Sequence, residues 1–123
     1  MATKAAAFQA WASGFGIPAY AAASVPPDAA MPYLTYSFGS GAWGEDAFAA
    51  EIDLWYPASA GEAAPNAKAE QIGRDLGRTG RLLACEGGGM RILRGSPFWQ
   101  AVADDMDVKR RYVNVDIEYY TND

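Results

Sequence analysis

Hydrophobic and polar residues alternate in the C-terminal part of the chain, from Arg111 to Thr121. The apolar positions of this segment are Val113, Val115, Ile117 and Tyr119, and the intervening positions are Tyr112, Asn114, Asp116, Glu118 and Tyr120. A period of two residues is typical of a β-strand with one buried face and one face in water. The segment therefore predicts a long strand that closes the sheet of the domain.

Four shorter segments predict two antiparallel hairpins. Residues 33–38 and 48–56 alternate on either side of a glycine-containing loop, which indicates the first hairpin. Residues 82–86 and 90–94 flank the turn Gly87-Gly88-Gly89, which indicates the second, because glycine reaches the positive φ of a tight turn without a steric cost. A corner is expected at Gly95-Ser96-Pro97-Phe98, and a long surface loop in the proline-containing residues 20–32.

Two segments predict helices. Residues 2–15 are rich in alanine and place Phe8, Trp11 and Phe15 at helical spacing. A second helix is expected from a first turn that contains Pro65 to about Thr79, with Gly80 as its C-terminal stop. Its buried face would be Ala69, Ile72 and Leu76, and its interior glycines, Gly73 and Gly77, suggest the close approach of a neighbouring backbone.

These elements predict the fold class. The order is helix, two strands, helix, two short strands and one long strand, which is an α+β arrangement. We expect a single domain over residues 1–123, with a mostly antiparallel sheet of about five strands and two helices packed on one face. A chain of 123 residues is long enough for one real hydrophobic core.

Composition narrows the range of functions. The chain has no histidine, which removes the commonest general base and the commonest transition-metal ligand. Its net charge of −5 disfavours a sequence-independent grip on nucleic acid. The single cysteine, Cys85, lies in an apolar stretch and is expected to be buried, which favours a reducing compartment. We predict neither a membrane anchor nor a signal peptide.

The candidates for catalysis and for metal binding are weak. Asp104, Asp105 and Asp107 offer carboxylates to a hard cation but lack the spacing of a calcium loop, so solvated turn residues are the favoured interpretation. Ser96 has no base to activate it, and the three-glycine turn lacks the lysine of a phosphate loop. We therefore predict no enzyme activity and assign no catalytic, metal or cofactor residue.

Surface contacts are better candidates. Arg74, Arg78 and Arg81 recur near the end of the second helix, where they complement its dipole and are also available to an acidic partner or a neighbouring subunit. Arg110 and Arg111, preceded by Lys109, lie close to the acidic cluster and are expected to pair with it locally or to contact a partner. Trp43 lies in a glycine loop, where it either folds back or meets a partner.

The order of several segments resembles a known family. They are Val25-Pro26 to Met31-Pro32-Tyr33-Leu34-Thr35-Tyr36, Leu54-Trp55-Tyr56, Gly88-Gly89-Met90-Arg91-Ile92, Gly95-Ser96-Pro97-Phe98, and Lys109-Arg110-Arg111-Tyr112-Val113-Asn114-Val115 to Glu118-Tyr119. Together they are similar to the tail terminator (minor tail or tail completion) proteins of long-tailed bacteriophages. The similarity spans nearly the whole chain and depends on the order and spacing of the segments.

The resemblance implies a virion structural protein without cofactors. Such a protein forms a homo-oligomeric ring, typically a hexamer, on the head-proximal end of the tail tube, stops tube polymerisation and offers a docking surface to the head connector. DNA would pass through the lumen without specific binding. The expected interface residues are Trp43, Arg74, Arg78, Arg110 and Arg111. The alternatives are another head–tail connector or neck component of similar fold, and a small metal-dependent hydrolase that uses the acidic cluster.

Overall fold

A computed structural model describes residues 1–123 and contains two α-helices and six β-strands. The helices are α1, Lys4–Ala12, and α2, Ala63–Leu76. The strands are β1, Ala19–Ala21; β2, Tyr33–Tyr36; β3, Phe48–Pro57; β4, Arg81–Cys85; β5, Gly88–Val102; and β6, Val108–Thr121. Short 3₁₀ turns follow α1, β1 and β3 at Ser13–Phe15, Ala22–Ser24 and Ala58–Ala60.

All six strands form one sheet in the order β1-β2-β3-β6-β5-β4. Every neighbouring pair is antiparallel except β1 and β2, which are parallel. The predicted α+β class, the two hairpins and the closing strand are confirmed. The sheet has six strands rather than five because Ala19–Ala21, at the start of the segment expected to be a loop, pairs with β2.

The core lies between the two helices and one face of the sheet. The alternate residues of β6 that the sequence predicted to be buried, Val113, Val115, Ile117 and Tyr119, are all buried, and so is Cys85. Phe8, Trp11 and Phe15 of the first helical segment are buried in the same cluster. The apolar residues of α1 and those of β6 therefore pack in one core, as their periodicities predict.

The second helix is shorter than the sequence predicted. It ends at Leu76, and Gly77 follows with a φ of +62°, where the expected end was Thr79 with Gly80 as the stop. The predicted face of Ala69, Ile72 and Leu76 is buried. The close neighbour predicted at Gly73 is a side chain and not a backbone. A Cβ atom at this position would lie 2.8 Å from Cε2 of Phe98.

The expected corner at Gly95-Ser96-Pro97-Phe98 is part of β5. The strand runs through this segment with a shift of register against β6 between Arg94 and Trp99. Such an irregularity lets a strand change direction without ending. Beyond it, Phe98 reaches Gly73 of α2, and Trp99 Nε1 donates a hydrogen bond of 2.9 Å to Glu70 Oε1.

Neither helix is long and apolar enough to cross a lipid bilayer.

Candidate functional site

The sheet face opposite the helices packs against neither helix, and its side chains are mostly half-buried. We call it the open face. Strand alternation places on it the residues that do not enter the core. On β1, β2, β3 and β6 these are Tyr20, Tyr33, Thr35, Glu51, Asp53, Trp55, Arg110, Tyr112, Asn114, Asp116, Glu118 and Tyr120. Because neither helix packs on it, this face is a candidate interaction surface.

Aromatic side chains form a continuous row across four strands of the open face. The ring centres of Tyr20 and Tyr33 lie 5.7 Å apart, and those of Tyr33 and Trp55 lie 6.4 Å apart. The guanidinium of Arg110 lies 4.6 Å from the centre of the Trp55 ring and 5.3 Å from that of Tyr112. We call Tyr20, Tyr33, Trp55 and Tyr112, bridged by Arg110, the aromatic row. Register produces it, because Tyr33 faces Trp55, which faces Arg110.

A buried carboxylate fixes the position of Arg110. Asp53 is 7% exposed, and its Oδ1 accepts a hydrogen bond of 3.0 Å from Arg110 Nε. Burial, together with the hydrogen bond to Glu51, raises the pKa of Asp53 to about 6, and Arg110 opposes this rise. Arg110 Nη1 also lies 3.6 Å from Asp104 Oδ2. Part of the acidic cluster thus pairs locally with the basic residues that follow it, as one of the two sequence interpretations proposed.

Three carboxylates of the open face, Glu51, Asp116 and Glu118, have no ion-pair partner in the chain. Glu51 faces Asn114 across the β3–β6 ladder, and Asp116 faces Ala49. The neighbouring Glu51 carboxylate raises the pKa of Tyr112 through a hydrogen bond. The cations of this face are engaged elsewhere: Arg110 pairs with Asp53 and Asp104, and Arg91, which faces Glu118 across the β5–β6 ladder, donates a hydrogen bond to the Thr79 carbonyl. The middle of the open face is therefore acidic as well as aromatic.

Arg111 lies on the other side of the sheet from Arg110. It is 3% exposed, and its Nε donates a hydrogen bond of 2.8 Å to Asn66 Oδ1 of α2. Its Nη2 lies 3.3 Å from Glu62 Oε1, which also meets Lys109. The structure thus places Arg111 inside the subunit, where it ties β6 to the start of α2. The expectation that it lies on an exposed interface is corrected by strand alternation, which sends neighbouring residues to opposite faces.

Two exposed arginines lie at the end of α2, Arg74 in its last turn and Arg78 in the turn that follows the helix. Neither makes an ion pair or a side-chain hydrogen bond within the chain. Their neighbour Arg81 is engaged instead, because its Nη1 lies 2.8 Å from Asp75 Oδ1. Arg74 and Arg78 are therefore available to a partner.

Trp43 lies on the surface and packs against the edge of the open face. Its side chain is 59% exposed, and its ring centre lies 4.9 Å from that of Tyr120. Next to Tyr120 is a shallow groove of about 420 Å³. The groove is lined by Leu82, Leu83, Ala84, Gly88, Gly89 and Tyr120. Leu82 is 57% exposed. Trp43 and the residues that line the groove form an apolar surface, which we call the Trp43 patch.

The remaining sequence candidates are dispersed. Asp105 and Asp107 are exposed in the turn between β5 and β6, and no group of three or more Asp, Glu or Cys side chains is arranged to hold a metal ion. Ser96 is exposed within β5. The structure therefore brings together Arg110, Asp53 and aromatic rings, and it separates Arg111, Trp43 and the arginines of α2.

Sequence analysis did not anticipate the aromatic row. Tyr33, Trp55 and Tyr112 alternate with core residues in their own strands, and this alternation was the signal that assigned them to the open side. Tyr20 lies at the start of the segment for which the sequence predicts a loop, but it is part of β1 and contacts Tyr33. The row depends on cross-strand register, which a single sequence does not specify.

No protein-family model and no curated protein matches the chain. One solved protein structure, whose name describes no function, is similar with a TM-score of 0.59 at 17% sequence identity. The alignment covers 96% of this chain and 95% of the other protein. At this identity the similarity establishes a shared fold over nearly the whole length of both chains.

Proposed function

We propose that the protein is a virion structural protein that assembles into a ring, typically a hexamer, on the head-proximal end of a phage tail tube. In this role it stops tube polymerisation and presents a docking surface to the head connector. The order of sequence segments that resembles the tail terminators is the origin of this proposal. The observation that carries it is the open face, a broad sheet surface against which neither helix packs.

Association with other subunits accounts for the chemistry of the open face. Aromatic residues and arginine are enriched at protein–protein interfaces, and the aromatic row holds four aromatic rings and Arg110 in fixed positions. A monomer gains little from keeping such a surface in water. A subunit that is complete only in an assembly would carry one.

The Trp43 patch adjoins the open face at Tyr120 and supplies a further contact region for a different partner. It lies at the β4 side of the sheet, away from Tyr20 and Tyr33 at the β1 side. A protein between a tail tube and a head connector needs surfaces for its own copies and for these partners. We assign the Trp43 patch to one of these partners, and a net charge of −5 is suited to a lumen through which DNA passes without adhering.

Electron microscopy of tails tests the proposal. The purified protein is added to polymerising tail-tube protein from the same phage, and the expected result is tubes that stop growing and carry ring-shaped density at one end. A protein that never associates with tails at any concentration would contradict the proposal. Pull-down with tube protein and with head-connector protein separates a terminator from another neck component, since a neck component would retain only the connector.

A further inference from the structure

Ten Lys and Arg residues occur in the chain, and eight of them are engaged within it through ion pairs, hydrogen bonds or aromatic contacts. The eight are Lys4, Lys68, Arg81, Arg91, Arg94, Lys109, Arg110 and Arg111. The remaining two are Arg74 and Arg78, which are exposed at the end of α2. Positive charge without an internal partner is thus confined to one end of one helix.

Carboxylates without an ion pair occur at several places on the surface, and three of them, Glu51, Asp116 and Glu118, lie together on the open face. Glu51 and Asp116 are diagonal neighbours on adjacent strands, since Asp116 faces Ala49 and Glu51 is two residues further along β3. Diagonal positions of this kind lie roughly 7–8 Å apart. Neither carboxylate has a cation within ion-pair distance in the chain, and both lie on the same face as the aromatic row.

We propose that the open face of one subunit receives the end of α2 from a second copy, with Arg74 and Arg78 against Glu51, Asp116 and the aromatic row. This inference rests on the proposed function, because it names the contact by which the subunits assemble. Arginine suits the site because its planar guanidinium pairs with carboxylates and stacks on aromatic rings. Arg110 already makes both interactions on this face with Asp53 and Trp55.

The placement of the two surfaces determines the kind of assembly. The end of α2 belongs to the helical layer, and the open face is on the opposite side of the sheet, so one subunit uses two different surfaces. Such a contact is heterologous and generates rings when its rotation closes. Two open faces packed on each other would instead bring Glu51 and Asp116 towards their own counterparts, and like charges in contact are unfavourable.

A charge-swap experiment tests the contact. The first variant is Arg74→Glu/Arg78→Glu, the second is Glu51→Lys/Asp116→Lys, and the third combines all four changes. Sedimentation velocity at low salt, alone and with tails, measures assembly. We expect each double variant to weaken subunit association by about tenfold or more, and the quadruple variant to recover most of the loss.

A matched control separates a specific contact from a change in net charge. Asp105→Lys/Asp107→Lys adds the same charge as Glu51→Lys/Asp116→Lys, but in the exposed turn between β5 and β6. Combined with Arg74→Glu/Arg78→Glu, it should not restore assembly. Equal recovery by the control would overturn the inference, because the effect would then depend on net charge alone.

Chemical crosslinking gives a second measurement that does not require the charge-reversal variants, which can fold less well. Arg78→Cys/Asp116→Cys is treated with a short bis-maleimide, and the native Cys85 is fully buried and does not compete. A heterologous contact predicts a ladder of covalent oligomers, whereas Arg78→Cys/Asp107→Cys should give none. Rings that form normally in all charge variants and give no ladder would overturn this contact and leave the proposed function intact. A wild-type protein that associates neither with itself nor with tails would overturn both.

Discussion

The guanidinium of Arg110 lies over the indole ring of Trp55, 4.6 Å from its centre. The two residues face each other across the β3–β6 ladder, and Trp55 Nε1 donates a hydrogen bond of 2.9 Å to Thr35 Oγ1 on β2. Contacts with neighbouring side chains of the sheet therefore fix both partners, Trp55 through Thr35 and Arg110 through Asp53. Arg110 thus contacts the aromatic ring of Trp55 and the buried carboxylate of Asp53 at the same time.

The titration of Asp53 should make stability depend on pH. The folded protein holds this proton with a pKa of about 6, whereas aspartate in an unfolded chain titrates near 3.9. The folded state thus binds the proton more tightly, so this group's contribution to the free energy of unfolding falls as pH rises through this window. The loss is of the order of 1–3 kcal/mol and is complete above a pH of about 7.

Comparison with Asp53→Asn isolates this effect. The pKa of Glu62 is lowered by its hydrogen bonds to Arg111 and Lys109, which gives a contribution of the opposite sign that is lost as pH falls. Glu62 is present in both proteins, so the difference in unfolding free energy between wild type and Asp53→Asn reports on Asp53. Urea denaturation between pH 4 and pH 8 should show Asp53→Asn gaining stability relative to wild type as pH rises. Parallel curves would contradict the raised pKa.

Alanine variants of Arg111 and Arg78 should differ in unfolding free energy, because Arg111 is buried and Arg78 is exposed. Arg111→Ala removes a buried guanidinium that bonds Asn66 and Glu62, so we expect a loss of about 2 kcal/mol in unfolding free energy. Arg78→Ala, at an exposed position without internal partners, should change the same quantity by less than about 0.5 kcal/mol. Chemical denaturation of both variants measures this, and equal losses would show that burial does not distinguish the two arginines.

The sequence predicted the layers of this fold because its periodicities are strong. The alternation in β6 and the stripe of Phe8, Trp11 and Phe15 specify which side chains enter the core, and tertiary packing agrees with them. Glycine and proline positions predicted the element boundaries less well. Gly77 ends α2 three residues before Gly80, and Pro97 lies within a strand whose register shifts around it. The first outcome is local, because Gly77 takes a positive φ and its N–H bonds the Gly73 carbonyl, whereas the second depends on pairing with β6, which is distant in sequence.

The candidate site was harder to predict than the fold. Arg110 and Arg111 form one basic cluster in the sequence, but strand alternation sends them to opposite faces of the sheet. Tyr20 and Trp55 belong to one row only because β1 joins β2 and β2 joins β3 in a particular register. A contact across four strands leaves no periodic trace in any one of them. Helical spacing grouped Arg74, Arg78 and Arg81, but only Arg74 lies in α2, and Arg81 lies in β4 and pairs with Asp75.

Replacing Gly73 by alanine should destabilise the protein although alanine is the better helix former. Alanine gains about 1 kcal/mol of helix propensity over glycine, but its Cβ would lie 2.8 Å from Cε2 of Phe98. Overpacking of this kind costs about 1–3 kcal/mol, so a net loss of roughly 1 kcal/mol is expected in thermal or urea denaturation. In a Phe98→Leu background, where the ring is absent, Gly73→Ala should instead stabilise. A stabilising effect in the wild-type background would show that Phe98 moves aside freely.

Trp43 should matter for assembly more than for folding. Its ring packs on Tyr120 and is largely exposed, while the loop is held by the Trp43 backbone N–H, which donates a hydrogen bond of 3.0 Å to the Thr121 carbonyl. Trp43→Ser should therefore lower the unfolding free energy by no more than about 1 kcal/mol, the scale of one aromatic contact. It should nevertheless abolish retention on tails or on the head connector, because exposed tryptophans act as interface anchors. Met106→Ser is the control, since Met106 is 95% exposed in the β5–β6 turn and contributes no aromatic contact. Retention that falls equally in both variants would assign the effect to lost surface hydrophobicity in general, and unchanged retention of Trp43→Ser would remove the Trp43 patch from the proposed contacts.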